Sequence, residues 1–251
     1  MKSLPPADYP GCPVTVLAAE ESGRTLRSPR WGLWDSWIML GGAIVLVAIV
    51  TVGLNALDAP LAVMLLVGTL VPWVALAGWP IIATRRRGNG PVIDLGTRLT
   101  WRDVGIGLVG GVISLAVAAA LAALSTLFFG EFTSSAGDVA AELTESAGRP
   151  VVVLFAFMLA FGAPVVEELA FRGLVFAGLR KHGFSPWITI TLSALVFALF
   201  HLEPARILVV GGVGLVLGFL RWRTGSLGAG IVAHVVNNLP AAVLVAAGLA
   251  G

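Results

Sequence analysis

A small set of polar side chains lies inside otherwise apolar stretches: Glu167, Glu168, Arg172, His201, His234, Asn237 and Asn238. Placing an ionisable group in a bilayer costs at least about 2.5–3.5 kcal/mol on insertion scales, so such groups point to function. The chemistry they offer is activation of water. A carboxylate between apolar walls binds a proton more tightly than it does in water, and can draw one from a water molecule near neutral pH. A neutral imidazole can orient that water, while an amide N–H and an imidazolium can hold an oxyanion. Glu167, His201 and His234 would equally make a two-histidine, one-carboxylate zinc site. Hydrolysis of an amide bond fits both versions, and the residues alone leave the choice open.

Spacing divides the roles. Glu168 and Arg172 are four apart and opposite in charge, which on a helix makes a local ion pair. Glu167 is turned about 100° away and has no partner nearby in sequence, so it must look to another segment. His234 and Asn238 are four apart and share a face, whereas Asn237 points elsewhere. Phe197 precedes His201 by four and is expected one turn below it.

These residues need helices to bring them together. With 57% apolar and 12% charged residues the chain is far from the roughly 25% charge of soluble domains. The expected fold is all-α: a polytopic transmembrane helical bundle of about seven spans (about six to eight) with a cytoplasmic N-terminus. Apolar runs mark 34–57, 61–84, 104–129, 150–179, 186–201, 204–221 and 226 to the C-terminus. Ser185 and Pro186 read as the N-cap and first turn of the fifth, and the Gly- and Ala-rich third suits close packing in lipid. Residues 1–33 are polar and proline-rich, and read as a cytoplasmic, poorly ordered arm without a cleavable signal peptide. Residues 34–251 form one transmembrane domain, with the chemistry-bearing helices in 150–251. The single cysteine, Cys12, excludes an internal disulfide and a cysteine metal cluster.

Charge sets the orientation. With an inside N-terminus and seven crossings, every Lys and Arg falls on the cytoplasmic side except Arg149, Arg206 and the membrane-embedded Arg172. The segment from Glu131 to Glu145 is acidic instead and falls outside. Depth then follows from the rise of ~1.5 Å per residue: Glu167 lies ~20 Å and Arg172 ~12 Å above the inner end of their helix at Arg180. His201 is ~22 Å above Pro186, and His234 and Asn238 are ~10 Å and ~17 Å above Leu227. Helices far apart in sequence therefore deliver these groups to comparable heights.

At these residues the chain resembles the CAAX protease and bacteriocin-processing family (CPBP/Abi) of intramembrane endopeptidases, which includes the Ras-converting CAAX prenyl endopeptidase. The first family motif, Glu-Glu-x-x-x-Arg, is met by Glu167-Glu168-Leu-Ala-Phe-Arg172; the second, Phe-x-x-x-His, by Phe197-Ala-Leu-Phe-His201; the third, His-x-x-x-Asn, by His234-Val-Val-Asn-Asn238. All three occur in order over roughly 150–240, whereas the first 150 residues match no motif. The resemblance implies a hydrolase in which Glu167 and His201 activate water while His234 and Asn238 hold the oxyanion, with Glu168, Arg172 and Phe197 supporting. It leaves open a divalent metal such as zinc on Glu167, His201 and His234. It implies a membrane-anchored or lipidated peptide substrate, expected to be cut near its cytoplasmic end. The bilayer is the other partner, and the bacterial cytoplasmic membrane the expected location.

Structural readings stand beside these. Glu168 with Arg172 could simply anchor a helix, Asn237 serve as packing glue, and His182 act as a solvated cap. The run Arg85-Arg86-Arg87 reads as a topology determinant touching anionic head groups rather than nucleic acid. Trp31, Trp34, Trp101, Trp187 and Trp222 read as interface anchors, and Ser226 as an N-cap. No His-Glu-x-x-His occurs and no Asp lies mid-span. Two alternatives remain: a non-catalytic partner such as an immunity protein or sensor-kinase modulator, and a proton-coupled transporter, which the lack of internal repeats disfavours.

Overall fold

The computed structural model describes residues 13–131 and 134–249. Cys12 and the prolines at 5, 6 and 10 lie outside them. Ten helices follow in order: α1 (Pro13–Glu21), α2 (Leu33–Ala56), α3 (Leu61–Arg87), α4 (Pro91–Asp94), α5 (Trp101–Phe129), α6 (Ser135–Ser146), α7 (Arg149–Lys181), α8 (Pro186–Phe200), α9 (Ile207–Thr224) and α10 (Leu227–Ala247). No strand occurs among the described residues. Among the described residues, six helices (α2, α3, α5, α7, α10 and α9 with its preceding turn) are long and apolar enough to cross a membrane. The expected fifth span, α8, is shorter at 15 residues. The exterior is apolar in a way only lipid tolerates: Val52, Val109 and Leu127 are 70, 63 and 81% exposed. The molecule is a polytopic all-α membrane bundle.

Local sequence sets the helix ends. At the start of α5, the Thr100 hydroxyl accepts from the Asp103 amide while the Asp103 carboxylate accepts from the Thr100 amide, a reciprocal cap. Ser185 caps α8 with Pro186 in the first turn, as expected. Ser226 caps α10 by accepting from the Gly228 amide, and its hydroxyl donates to the Arg98 carbonyl.

Glycines set how closely the helices pack. On α5, Gly107 and Gly111 face α10; a Cβ on Gly107 would lie 2.8 Å from the Ala229 carbonyl oxygen, and one on Gly111 3.0 Å from that of Ala233. Small residues four apart let two backbones approach closely in lipid, as the Gly/Ala-rich third span predicts. On α9, a Cβ at Gly214 would lie 3.1 Å from Ala194 Cα of α8. These two contacts hold the helices bearing His201 and His234 against their neighbours.

The structure corrects three expectations. Residues 13–33 are not a loose arm throughout: they carry α1, and Lys181 Nζ donates to the carbonyls of Pro29 and, at 2.5 Å, Trp31. Trp31 is fully buried rather than an interface anchor, because its Nε1–H donates to Asp94 Oδ2 at 2.7 Å and its ring packs in the core. Arg87 pairs with the buried Asp35, so the arginine run also has a structural member. The acidic loop, meanwhile, contains an amphipathic helix, α6, that packs on the bundle through Ala140 and Leu143.

Candidate active site

Helix α7 is not uniform. It contains two π-helical stretches, Met158–Gly162 and Glu168–Val175, the second starting at the second acid of the pair. Such bulges widen a helix and occur frequently at functional sites. All eight residues from Glu168 to Val175 are buried.

Arg172 organises the floor. Its Nη1 donates to Glu168 Oε1 at 2.9 Å and its Nη2 to the Gly214 carbonyl at 3.2 Å, with both side chains of the ion pair fully buried. Its Cζ sits 4.2 Å from the centre of the Phe197 ring. A buried guanidinium is costly to leave unpaired, so the ion pair, the carbonyl and the ring act together on it. The Arg172 carbonyl in turn accepts from Nε of Arg221, a buried residue that charge counting had placed at the solvated inner end of α9.

His234 lies between the two acids. Its Nδ1 is 3.3 Å from Glu168 Oε1, and its Nε2 is 3.6 Å from Glu167 Oε2. Glu168 is held as an acceptor by Arg172, so it fixes the proton on Nδ1 and leaves Nε2 turned toward Glu167. The 3.6 Å separation is too long for a direct hydrogen bond. Gly230 lies one turn before His234 because only glycine fits: a Cβ there would meet Glu168 Oε2 at 2.7 Å.

His201 closes α8. Its Nδ1 is 2.8 Å from the Phe197 carbonyl, which can only accept, so the proton sits on Nδ1 and the Nε2 lone pair is left for the cavity. The next residue, Leu202, adopts φ 56°, a left-handed conformation costly for leucine, and ends the helix at the histidine. The Phe197 ring meets both imidazoles edge-on, His201 at 4.6 Å and His234 at 5.9 Å between centroids. Asn238 donates to the Leu159 carbonyl at 3.1 Å, and Asn237 accepts from Ser114 at 3.0 Å, in keeping with packing glue.

Glu167, Phe197, His201, His234, Asn237 and Asn238 line one cavity of about 440 Å³. The sequence-predicted residues are thus brought together, with Glu168 and Arg172 beneath them rather than on the wall. No group of three or more His, Cys, Asp or Glu side chains among the described residues is arranged to hold a metal ion. The second nitrogens of both histidines are committed to Phe197 and Glu168.

Residues 149–240 match the family described as type II CAAX prenyl endopeptidase Rce1-like. The segment that carries the site is similar to that family. No curated protein and no solved structure gives a significant match. The boundaries of the match coincide with the start of α7 and the middle of α10. Gly230 and Gly214 are residues of the site that the three motifs do not include. The signal for Gly230 was present: it precedes His234 by four and so shares its face.

Proposed function

We propose that the protein is an intramembrane endopeptidase of a bacterial cytoplasmic membrane, hydrolysing a peptide bond in a membrane-anchored or lipidated peptide with water activated by Glu167. The observation that carries this reading is His234 held between Glu167 and Glu168 in a cavity shared with His201 and Asn238. Water placed against Glu167 gives a proton to the carboxylate as its oxygen bonds to the carbonyl carbon. His201, with its Nε2 lone pair free, orients that water. The tetrahedral oxyanion accepts hydrogen bonds from the Asn238 amide and from His234 in its protonated form. The proton on Glu167 passes to the amide nitrogen as the C–N bond breaks, releasing amine and carboxylate. Glu168, Arg172 and Phe197 are positioning residues. Their arrangement engages Nδ1 of each imidazole and leaves both Nε2 atoms to the cavity, the orientation in which Glu167, His201 and His234 would hold a zinc ion that polarises the water, were one bound.

The test is a comparison of membrane peptides in cells carrying the wild-type protein and Glu167→Gln. Uncleaved precursors should accumulate with the variant at equal expression. Identical peptide profiles would overturn the reading and favour a non-catalytic role on the same scaffold.

A further inference from the structure

The cavity is open at one face of the bundle and sealed at the other. Its mouth is framed by Ser135 and Val139 of α6 and by Glu203 and Arg206 ahead of α9. From there it runs past His201 to Glu167 and His234. No lining residue comes from the connections at the opposite end, between α3 and α5, α7 and α8, or α9 and α10. Leu95, Leu174 and Leu227, all fully buried, lie under the site instead. A Cβ added to Gly173 would lie 3.6 Å from Leu95 and 3.5 Å from Leu227, ordinary van der Waals contact, so both side chains reach this point beneath the site. The Leu227 amide donating to the Gly96 carbonyl at 2.8 Å binds the connections across the base.

Charge identifies the two faces. The sealed end carries Arg85, Arg86, Arg98, Arg180, Lys181 and Arg223, whereas the helix beside the mouth carries Asp138, Glu142 and Glu145. Segments rich in Lys and Arg stay on the cytoplasmic side. We infer that the site is reached from the extracytoplasmic side, and that its substrates are exported, membrane-anchored peptides whose scissile bond lies in the outer half of the bilayer or just beyond it. This deepens the hydrolytic reading and rests on it for the word substrate; the direction of access does not. It also replaces the expectation of cleavage near a cytoplasmic end. Depth along a helix was countable from the sequence, but the end at which the cavity opens is decided by what packs beneath it.

Single cysteines in a Cys12→Ser background test this: Ala118→Cys on the cavity wall, Ser146→Cys on α6 and Leu99→Cys at the sealed end. A small, charged, membrane-impermeant thiol reagent is added to right-side-out and to inside-out vesicles. Positions 118 and 146 should react in the first and not the second, and position 99 the reverse. Reaction at 118 only in inside-out vesicles, or from neither side, would overturn the inference. Unchanged peptide profiles with Glu167→Gln alongside the expected labelling would sink the hydrolytic reading alone; the opposite pair of results would sink the access inference alone.

Discussion

The Arg172 guanidinium lies over the face of Phe197, its Cζ 4.2 Å from the ring centre, while that ring also meets the imidazoles of His201 and His234 and the Phe171 ring edge-on. One aromatic side chain thereby links the buried ion pair to both histidines. Phe197→Leu removes the cation–π contact and the edge contacts together. Stability should fall by about 1–2 kcal/mol in a thermal melt, and cleavage by more than that loss accounts for. Phe197→Tyr should keep the melting temperature closer to wild type.

Gly230→Ala tests how closely α10 must approach Glu168. The added methyl would sit 2.7 Å from Glu168 Oε2 and push the two apart. Displacing His234 by a fraction of an ångström or more should cut cleavage by on the order of 100-fold, through kcat rather than KM. Expression and detergent-extracted yield should hold.

Glu168→Ala and Arg172→Ala should differ from Glu167→Ala in kind. Each leaves its partner charge buried and unpaired, at about 3–5 kcal/mol, so both should lower folded yield. Glu167 is half-buried and outside that pair, so its alanine variant should fold normally and lose cleavage.

The mouth carries a pH dependence through Glu203. Burial pushes its carboxyl up, but the Ser135 hydroxyl and amide and the Arg206 guanidinium outweigh that and hold it below the usual carboxylate range. A depressed folded-state value means the tie between Glu203 and α6 is at full strength above the ordinary glutamate pKa and fades as pH falls through the lowered one. Protection factors of the amides in 135–146, taken relative to the intrinsic exchange rate at each pH, should fall on acidification, with Glu203→Gln showing low protection already at neutral pH.

Metal removal distinguishes the two chemistries that the sequence left open. Protein stripped with a chelator should cleave at an unchanged rate. Loss of activity restored by zinc would instead put Glu167, His201 and His234 on a metal.

Much of this was readable beforehand because it is periodic. The Glu168–Arg172 ion pair, the Phe197–His201 contact and the Ser185 and Ser226 caps all follow from spacing along one helix. What could not be read depends on partners distant in sequence. Trp31 looks like an interface anchor until Asp94 accepts its indole N–H. Arg221 looks like a topology charge until the Arg172 carbonyl accepts from it. The π-helical stretch at Glu168 carries no composition signal, and α6 beside the mouth is hidden in a loop whose charges spoke only of sidedness.

The most direct test of the account is the cleavage rate of reconstituted Glu167→Gln on whichever peptide accumulates in cells carrying that variant. An amide cannot take the proton from water, so the rate should drop by about 100- to 10,000-fold while the peptide still binds. A Glu167→Gln protein that cuts the peptide at the wild-type rate would contradict it.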